Sequence, residues 1–458
     1  MAQISYIKYS DIDLKDRIDA EFFKPDYLQI DKKIRSKPYL LLADIAKLDA
    51  SAFYPAATHL YKTGDVPFAR CVDCINFPFV EKNRLSEFEK IPEDFIKRNK
   101  TVKKIKQHDL IITKVGTPCF ASIVFDFEEI ALSRTVLGVS KIKEINPFYL
   151  MIFLRSYFGF NQLQRQRELT IQYQLTLERV GKILIPNLTK DFQNNIELIA
   201  KNSHQKQSQS KQLYREAEKL LLSELGLLDY QVKHTLSFST TKKAIEQAHR
   251  YDSEYFQPKY AEIIKKIEEY EGGWDFAGEM VKWKKGVEVG TEAYTETGKD
   301  FVRVSDFTVF GVSESNRKIA DEAFEDLKKN FQPKQGEILF TKDGTIGISY
   351  VLKEDVQGVL SGAFLRLTLK EKYQNFEKEC LSLIFSSILC KMQVEKLSGG
   401  ALIAHLKPSD FETFKIPLIK PSIQKQIALK IQESHRLRKE SKELLEEAKR
   451  RVEEEIEK

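Results

Sequence analysis

The sequence predicts an α+β protein built twice over: two similar globular domains, residues 1–188 and 231–418, separated by two long antiparallel helices, residues 189–230 and 419–458. Three observations lead there. The chain repeats itself at a nearly constant offset. Two stretches are rich in helix-forming residues and free of interior helix breakers. Short β-branched runs recur in the same order within each half.

The helices carry the clearest copy. A shift of 231 positions lays Gln193, Ile196, Ser203, His204, Ser210, Leu213 and Ala217 onto Gln424, Ile427, Ser434, His435, Ser441, Leu444 and Ala448 without a gap. Heptad spacing gives one seam of Ile196, Ala200, Ser203, Gln207, Ser210, Tyr214, Ala217 and Leu221. The other is Ile427, Ile431, Ser434, Arg438, Ser441, Leu445, Ala448 and Val452. Each seam is apolar at its ends and small or polar in its middle, so a lone helix would expose it. Antiparallel pairing of the copies covers both. It sets Ser203 near Ser441 and Ser210 near Ser434 at a local pseudo-two-fold, with Ile196, Ala217, Ile427 and Ala448 flanking them. The run Leu220–Leu228 offers more apolar surface than one helix partner covers, which favours an obligate complex.

The globular halves repeat as well. Arg17–Pro25 returns as Arg250–Pro258 and Phe68, Arg70 and Asp73 as Phe301, Arg303 and Asp306, both at an offset of 233. Asp109–Thr117 returns as Glu337–Thr345 at 228, and Ile185-Pro186 as Ile416-Pro417 at 231. Drifting offsets are what loop insertions in a tandem duplication leave behind. Each half starts with a short helix (Asp26–Arg35; Lys259–Tyr270). Strand-like runs follow: Val66–Val72, Leu110–Thr113, Ser122–Phe127, Phe301–Val304, Ile338–Thr341, Ile348–Leu352 and Val359–Leu369. An apolar helix comes next (Pro147–Gln164; Glu377–Leu397), and an Ile-Pro element leads into the long helix. A small barrel-like or open sheet with surrounding helices is expected. The halves meet within Gly226–Thr241. A helix of about 38 residues is roughly 57 Å long, long enough to hold two duplex readers a turn or more apart.

Composition narrows the class. A hydrophobic fraction of 42% and a charged fraction of 31% describe a globular protein. No apolar run reaches membrane-spanning length, and no signal pattern opens the chain. Five cysteines without framework spacing point to a cytoplasmic setting. A net charge of +6 permits nucleic-acid binding without arguing for it.

On these residues the chain resembles the specificity subunit of type I restriction–modification systems, part of host defence. The likeness rests on the Arg-x-Asp-x-Glu-x-x-x-Pro block at both domain starts, the turn Lys342-Asp-Gly-Thr-Ile-Gly347, and the ending Ile416-Pro-Leu-Ile with Ser422–Gln432. It implies two target-recognition domains, each reading half of a bipartite double-stranded DNA site, and a coiled coil as ruler and docking surface. It also implies two modification (methyltransferase) subunits carrying S-adenosylmethionine, and restriction subunits using ATP and Mg. No cofactor, metal, membrane or catalytic residue is expected in this chain. The first copy departs from the pattern: Lys114-Val-Gly-Thr-Pro-Cys119 has Pro and Cys where the second has Ile and Gly, so a differently shaped turn is expected there.

Six residues are candidates for DNA contact. Lys114, Thr117, Lys342 and Thr345 could meet phosphates, or could form a barrel corner with a solvated lysine. Arg70 and Arg303 could reach guanine or a phosphate, or pair with Asp73 and Asp306 inside their own domains. Arg17, Asp19 and Glu21, like Arg250, Asp252 and Glu254, read as a salt-linked scaffold. Residues shared by the copies are mostly frame, so base readers belong in segments that differ: Asp49–His59, Asn76–Asn99, Val281–Glu292 and Val309–Lys318. Unlike loops imply unlike half-sites.

Enzyme signatures are weak. Asn146-Pro-Phe-Tyr149 resembles an amino-methyltransferase motif but lacks its glycine-rich companion, and Pro147 suits a helix start. Cys71-x-x-Cys74 has no second pair, and no phosphate loop is present. His204 and His435 recur on the helices, where packing or solvation explains them. Three alternatives stay open: the recognition subunit of a type IIB-like or orphan methylation system, a helical scaffold that binds no DNA, or a self-sufficient methyltransferase.

Overall fold

The computed structural model describes residues 4–8, 17–52, 59–61, 63–169, 173–398 and 405–458. By internal contacts the chain forms two units, Met1–Gln207 with Lys439–Lys458, and Ser208–Arg438. The long helices, Lys190–Glu224 and Pro421–Glu457, are therefore not bodies apart from the domains, as the boundaries 189–230 and 419–458 would have them. Each unit takes half of each helix. The first helix stops short of residue 230 because Gly226 turns left-handed at φ +62°.

In the first unit one sheet runs Lys47–Ala50, Val136–Ser140, Leu110–Thr113, Ala121–Val124 and Phe79–Val80. A second runs Glu89–Ile91, Val66–Ala69, Glu129–Leu132 and Lys104–Lys106. The second unit has matching sheets. One is Val281–Lys285, Phe364–Leu369, Ile338–Thr341 and Ser349–Val351; the other is Tyr294–Thr295, Lys318–Ile319, Lys299–Val302 and Gly358–Leu360. Both units make the same parallel pairing, Phe68 beside Ala131 and Phe301 beside Val359. In both, the Ile-Pro element is a strand paired antiparallel with one far upstream, Tyr39 opposite Pro186 and Trp274 opposite Pro417.

The apolar helix of each half is two helices. Pro147–Arg155 and Tyr157–Arg165 are broken at Ser156, and Lys378–Ser386 and Ile388–Ser398 at Ser387. Both serines are extended, and each hydroxyl donates to the carbonyl three residues back, Phe153 at 2.6 Å and Ile384 at 2.7 Å. A serine that satisfies a helix-end carbonyl this way competes with the ladder. Val359–Leu369 is likewise two strands, Gly358–Leu360 and Phe364–Leu369.

Leu221, Leu225 and Leu227 are buried in the second unit's own core with Tyr260, Ile263 and Ile267. Most of the surplus apolar surface read into Leu220–Leu228 is thus covered from within, only Leu228 standing half exposed, and the argument for an obligate complex weakens. Among the described residues no helix is long and apolar enough to cross a membrane.

Candidate nucleic-acid interface

Each unit contains its own stretch of the helix seam. Within the first unit, the Ser203 hydroxyl donates to the Ser441 carbonyl and that of Ser441 to the Ser203 carbonyl, each at 2.8 Å. Within the second, the Ser434 hydroxyl donates to the Ser210 carbonyl at 2.7 Å and lies 3.1 Å from the Ser210 hydroxyl. A side chain that bonds the facing backbone requires close approach, which serine allows and leucine would not. Ile196, Ala217, Ile427 and Ala448 are all buried. Lys206 pairs with Glu440 at 2.7 Å in the first unit, and Lys430 with Glu216 at 2.6 Å in the second.

Each helix half is fastened to its globule by residues the repeat preserves. Gln193 accepts from the Asn146 amide at 2.8 Å and donates to the Leu188 carbonyl at 2.8 Å. Gln424 accepts from the Glu377 amide at 2.9 Å and donates to the Ile419 carbonyl at 2.6 Å. The Asn146 side chain also caps the helix it opens, accepting from the Phe148 amide at 2.9 Å, and the buried Tyr149 hydroxyl donates to the Pro186 carbonyl. The Asn-Pro-Phe-Tyr run is a helix cap with its residues turned inward.

The candidate DNA residues gather around one crossing built identically in both units. In the first, Ser133 donates its amide to the Ala69 carbonyl at 2.9 Å, and Lys114 to the Thr135 carbonyl at 2.8 Å. In the second, Ser361 donates to Val302 at 2.9 Å and Lys342 to Ala363 at 2.8 Å. Arg70–Asp73 and Lys114–Thr117 are thereby brought together, as are their counterparts Arg303–Asp306 and Lys342–Thr345. Thr117 and Thr345 stand exposed at the turn tips, and Lys114 is half-buried. Lys342 is buried, its ammonium 2.5 Å from Asp343.

The arginines have partners inside their own units. Arg70 lies 3.2 Å from Asp73 and 3.3 Å from Glu89. Arg303 lies 3.5 Å from Asp306 and donates to Asn316 at 2.7 Å. Both aspartates accept the backbone amide of their arginine, closing a tight one-turn helix. Arg17 and Arg250 pair with Asp19 and Asp252 at 2.6 Å, which holds both aspartates below the usual carboxylate range through that hydrogen bond.

The turn expected to differ does not. Cys119 sits at φ +83° where the second copy has Gly347 at φ +89°, and each donates its amide to the threonine carbonyl six residues back at 3.0 Å. Thr113 and Thr341 then each accept an amide on the side-chain oxygen at 2.9 Å. The surrounding hydrogen bonds fix the turn, and a non-glycine residue bears the left-handed backbone.

No curated protein matches the chain. Residues 297–449 match the family model described as the type I restriction modification DNA specificity domain. That part of the chain is similar to type I restriction modification DNA specificity domains. The match takes in the Arg303–Asp306 and Lys342–Thr345 sites of the crossing and most of the second long helix. Among solved structures, the type I S subunit from M. genitalium is 10% identical, covering 92% of this chain and 94% of its own at a TM-score of 0.41. The HsdS subunit from Thermoanaerobacter tengcongensis is 14% identical, covering 92% and 95%, at 0.28. Superpositions this loose carry no residue-level correspondence.

Around the crossing the two halves diverge in charge. Arg134, exposed, stands where the second copy has Gly362. Lys97, Arg98 and Lys100 are exposed in the first unit, and Lys282, Lys284 and Lys285 on the edge strand of the second. All but Arg134 and Lys100 lie within the segments singled out as differing. Arg134 was legible as well, because a side-by-side reading at offset 228 exposes an arginine facing a glycine. The differing segments do not serve only outward surfaces: Glu81 and Val309 lie in them, and both meet the long helices. Residues 53–58 of Asp49–His59 lie outside the described residues.

The cysteine pair holds no ligand set. Among the described residues no group of three His, Cys, Asp or Glu side chains could hold a metal. Burial pushes the Cys74 thiol up to about 12, and the Cys71 thiol contacts the Thr117 carbonyl at 3.4 Å.

Proposed function

We propose that this chain is the non-catalytic DNA-reading subunit of a type I restriction–modification system. The specificity domain over residues 297–449, with its frame repeated in the first half, supports the reading above all else. In it each unit reads one half of a bipartite site, and the two halves differ because the exposed cations around the crossing differ. Thr117, Thr345 and Lys114 hold phosphates and set register; Arg134, Lys97 and Arg98 in one unit, and Lys282 and Lys284 in the other, face the bases and flanking backbone. Arg70, Arg303 and Lys342, each engaged with an acid of its own unit, shape the loops from behind.

The two long helices dock modification subunits in this reading, which bring S-adenosylmethionine and the chemistry, while restriction subunits bring ATP and Mg. Leu198 and Leu429, equivalent at the offset of 231, are 59% and 57% exposed on the long helices. Large apolar side chains left outward at two matched places suit two copies of one partner. The test is co-purification with a type I modification methyltransferase, followed by gel shift on duplex DNA. The proposal expects a complex that shifts duplex only when assembled and weakens steeply with salt. Leu198→Asp with Leu429→Asp should abolish assembly. Assembly and duplex binding unaffected by that pair, or methylation by this chain alone, would contradict it.

A further inference from the structure

Beneath the Arg17–Pro25 block the first unit holds a recess of about 340 Å³, walled by Phe22, Arg17, Arg35, Arg165, Lys182 and Gln166, with Asp31 the acid among its lining. Gln166 is 8% exposed, and its side-chain oxygen is buried without a hydrogen-bond partner among the described residues. A buried acceptor left unmet is costly, and a recess around it asks for a donor from outside. Arg35 pairs with Asp31 at 2.9 Å and Lys182 with Glu178 at 3.1 Å, both partly exposed acids, while Arg165 lies 3.7 Å from Asp31 and donates to the Phe22 carbonyl at 2.9 Å. Such pairs are weak enough to be exchanged for a ligand anion. Arg165 lies over the Phe22 ring at 4.2 Å and Arg17 at 5.2 Å, giving the wall a flat aromatic face.

The duplication supplies an internal control. At the matching positions the second copy has Glu268 for Arg35, Leu397 for Gln166, Thr413 for Lys182 and Lys396 for Arg165. There Lys415 closes the place with Glu268 and lies 4.5 Å from the Trp274 ring. Gln162 and Gln393, by contrast, do the same work in both copies, accepting from the Leu184 amide at 3.0 Å and the Lys415 amide at 2.8 Å. The frame therefore folds without the polar set that lines the first recess, and that set is present for something else.

We propose that this recess binds a nucleoside monophosphate. The phosphate meets Arg35, Arg165 and Lys182, the base or sugar packs on Phe22, and an N–H or O–H of the nucleoside satisfies Gln166. The volume falls at the small end of ligand pockets, which span roughly 300–1,000 Å³, and suits one nucleotide better than a bare phosphate. The group can come from a free mononucleotide or from the end of a strand.

The test is calorimetric titration of the full chain with dAMP, with adenosine and with inorganic phosphate. One saturable site for dAMP is expected, with the two fragments each at least about tenfold weaker. Gln166→Leu with Lys182→Thr installs the second copy's residues and should weaken dAMP at least about tenfold without lowering the unfolding midpoint. In the unaltered chain, bound dAMP should protect Lys182 from amine acylation, read by peptide mass spectrometry. No saturable dAMP binding, phosphate binding as tight as dAMP, undiminished binding in the double variant, or no protection of Lys182 would each overturn the assignment. A 5′-phosphorylated dinucleotide that competes with dAMP identifies a strand end as the source, and one that fails to compete identifies the free nucleotide; both support the site. Duplex binding is measured separately, so the DNA-reading proposal can fail without touching this one.

Discussion

The same helix position is anchored differently in the two units. His204 lies 2.6 Å from the Glu81 carboxylate, which is 2% exposed, with the Phe125 ring 3.6 Å away. His435, its equivalent, meets the Val309 carbonyl at 3.1 Å and the Tyr350 ring at 4.8 Å. Burial, with help from Lys353, holds the His435 imidazole down to about 4, so it stays neutral and donates. One duplicated residue thus meets an acid in one half and a neutral carbonyl in the other. The frame keeps the histidine; the loop opposite it has drifted, as a segment freed to read a different sequence would.

That comparison can be broken most sharply at the seam. Ser203→Leu in the first unit and Ser210→Leu in the second should each cost about 3 kcal/mol, through overpacking and lost hydrogen bonds, read by denaturant unfolding. Near-equal losses would support a common frame, and a loss at one site alone would break it. His204→Phe should cost about 2 kcal/mol because Glu81 loses its closest charge-assisted partner. His435→Phe, which removes one bond to a carbonyl, should cost less, about 1 kcal/mol.

Acid weakens the His435 anchor. The His435 imidazole titrates lower folded than unfolded, so its contribution is fully present above the unfolded value of about 6.5 and is lost as pH falls toward 4. Between pH 7 and pH 5 this amounts to about 2 kcal/mol of stability, and His435→Phe should remove it. Smallest is the turn. Gly347→Ala meets no close atom but must hold φ +89°, and should cost about 1 kcal/mol in a thermal melt.

Most of the frame could be read because duplication makes position visible twice. Gln193 with Gln424 and Ser203 with Ser434 stood out by recurrence, although nothing in the chain announced that the glutamines clamp helix starts. The break at Ser156 and Ser387 was hidden, since both flanks are strong helix formers and a single serine is tolerated in a helix. The Cys119 turn was misjudged because a left-handed backbone was credited to glycine alone. Leu221–Leu227 misled because apolar excess on a helix does not say which surface covers it. Reading residues stay faint in any one sequence: an exposed arginine such as Arg134 gains meaning only beside the glycine that replaces it.

The central claim is that two unlike readers share one duplicated frame. Methylome sequencing of cells expressing this chain with the methyltransferase proposed as its partner tests it most directly. The account predicts one new modified motif made of two different half-sites across a fixed gap, with one half alone altered by Arg134→Gly. A palindromic or continuous motif, or no motif dependent on this chain, would contradict it.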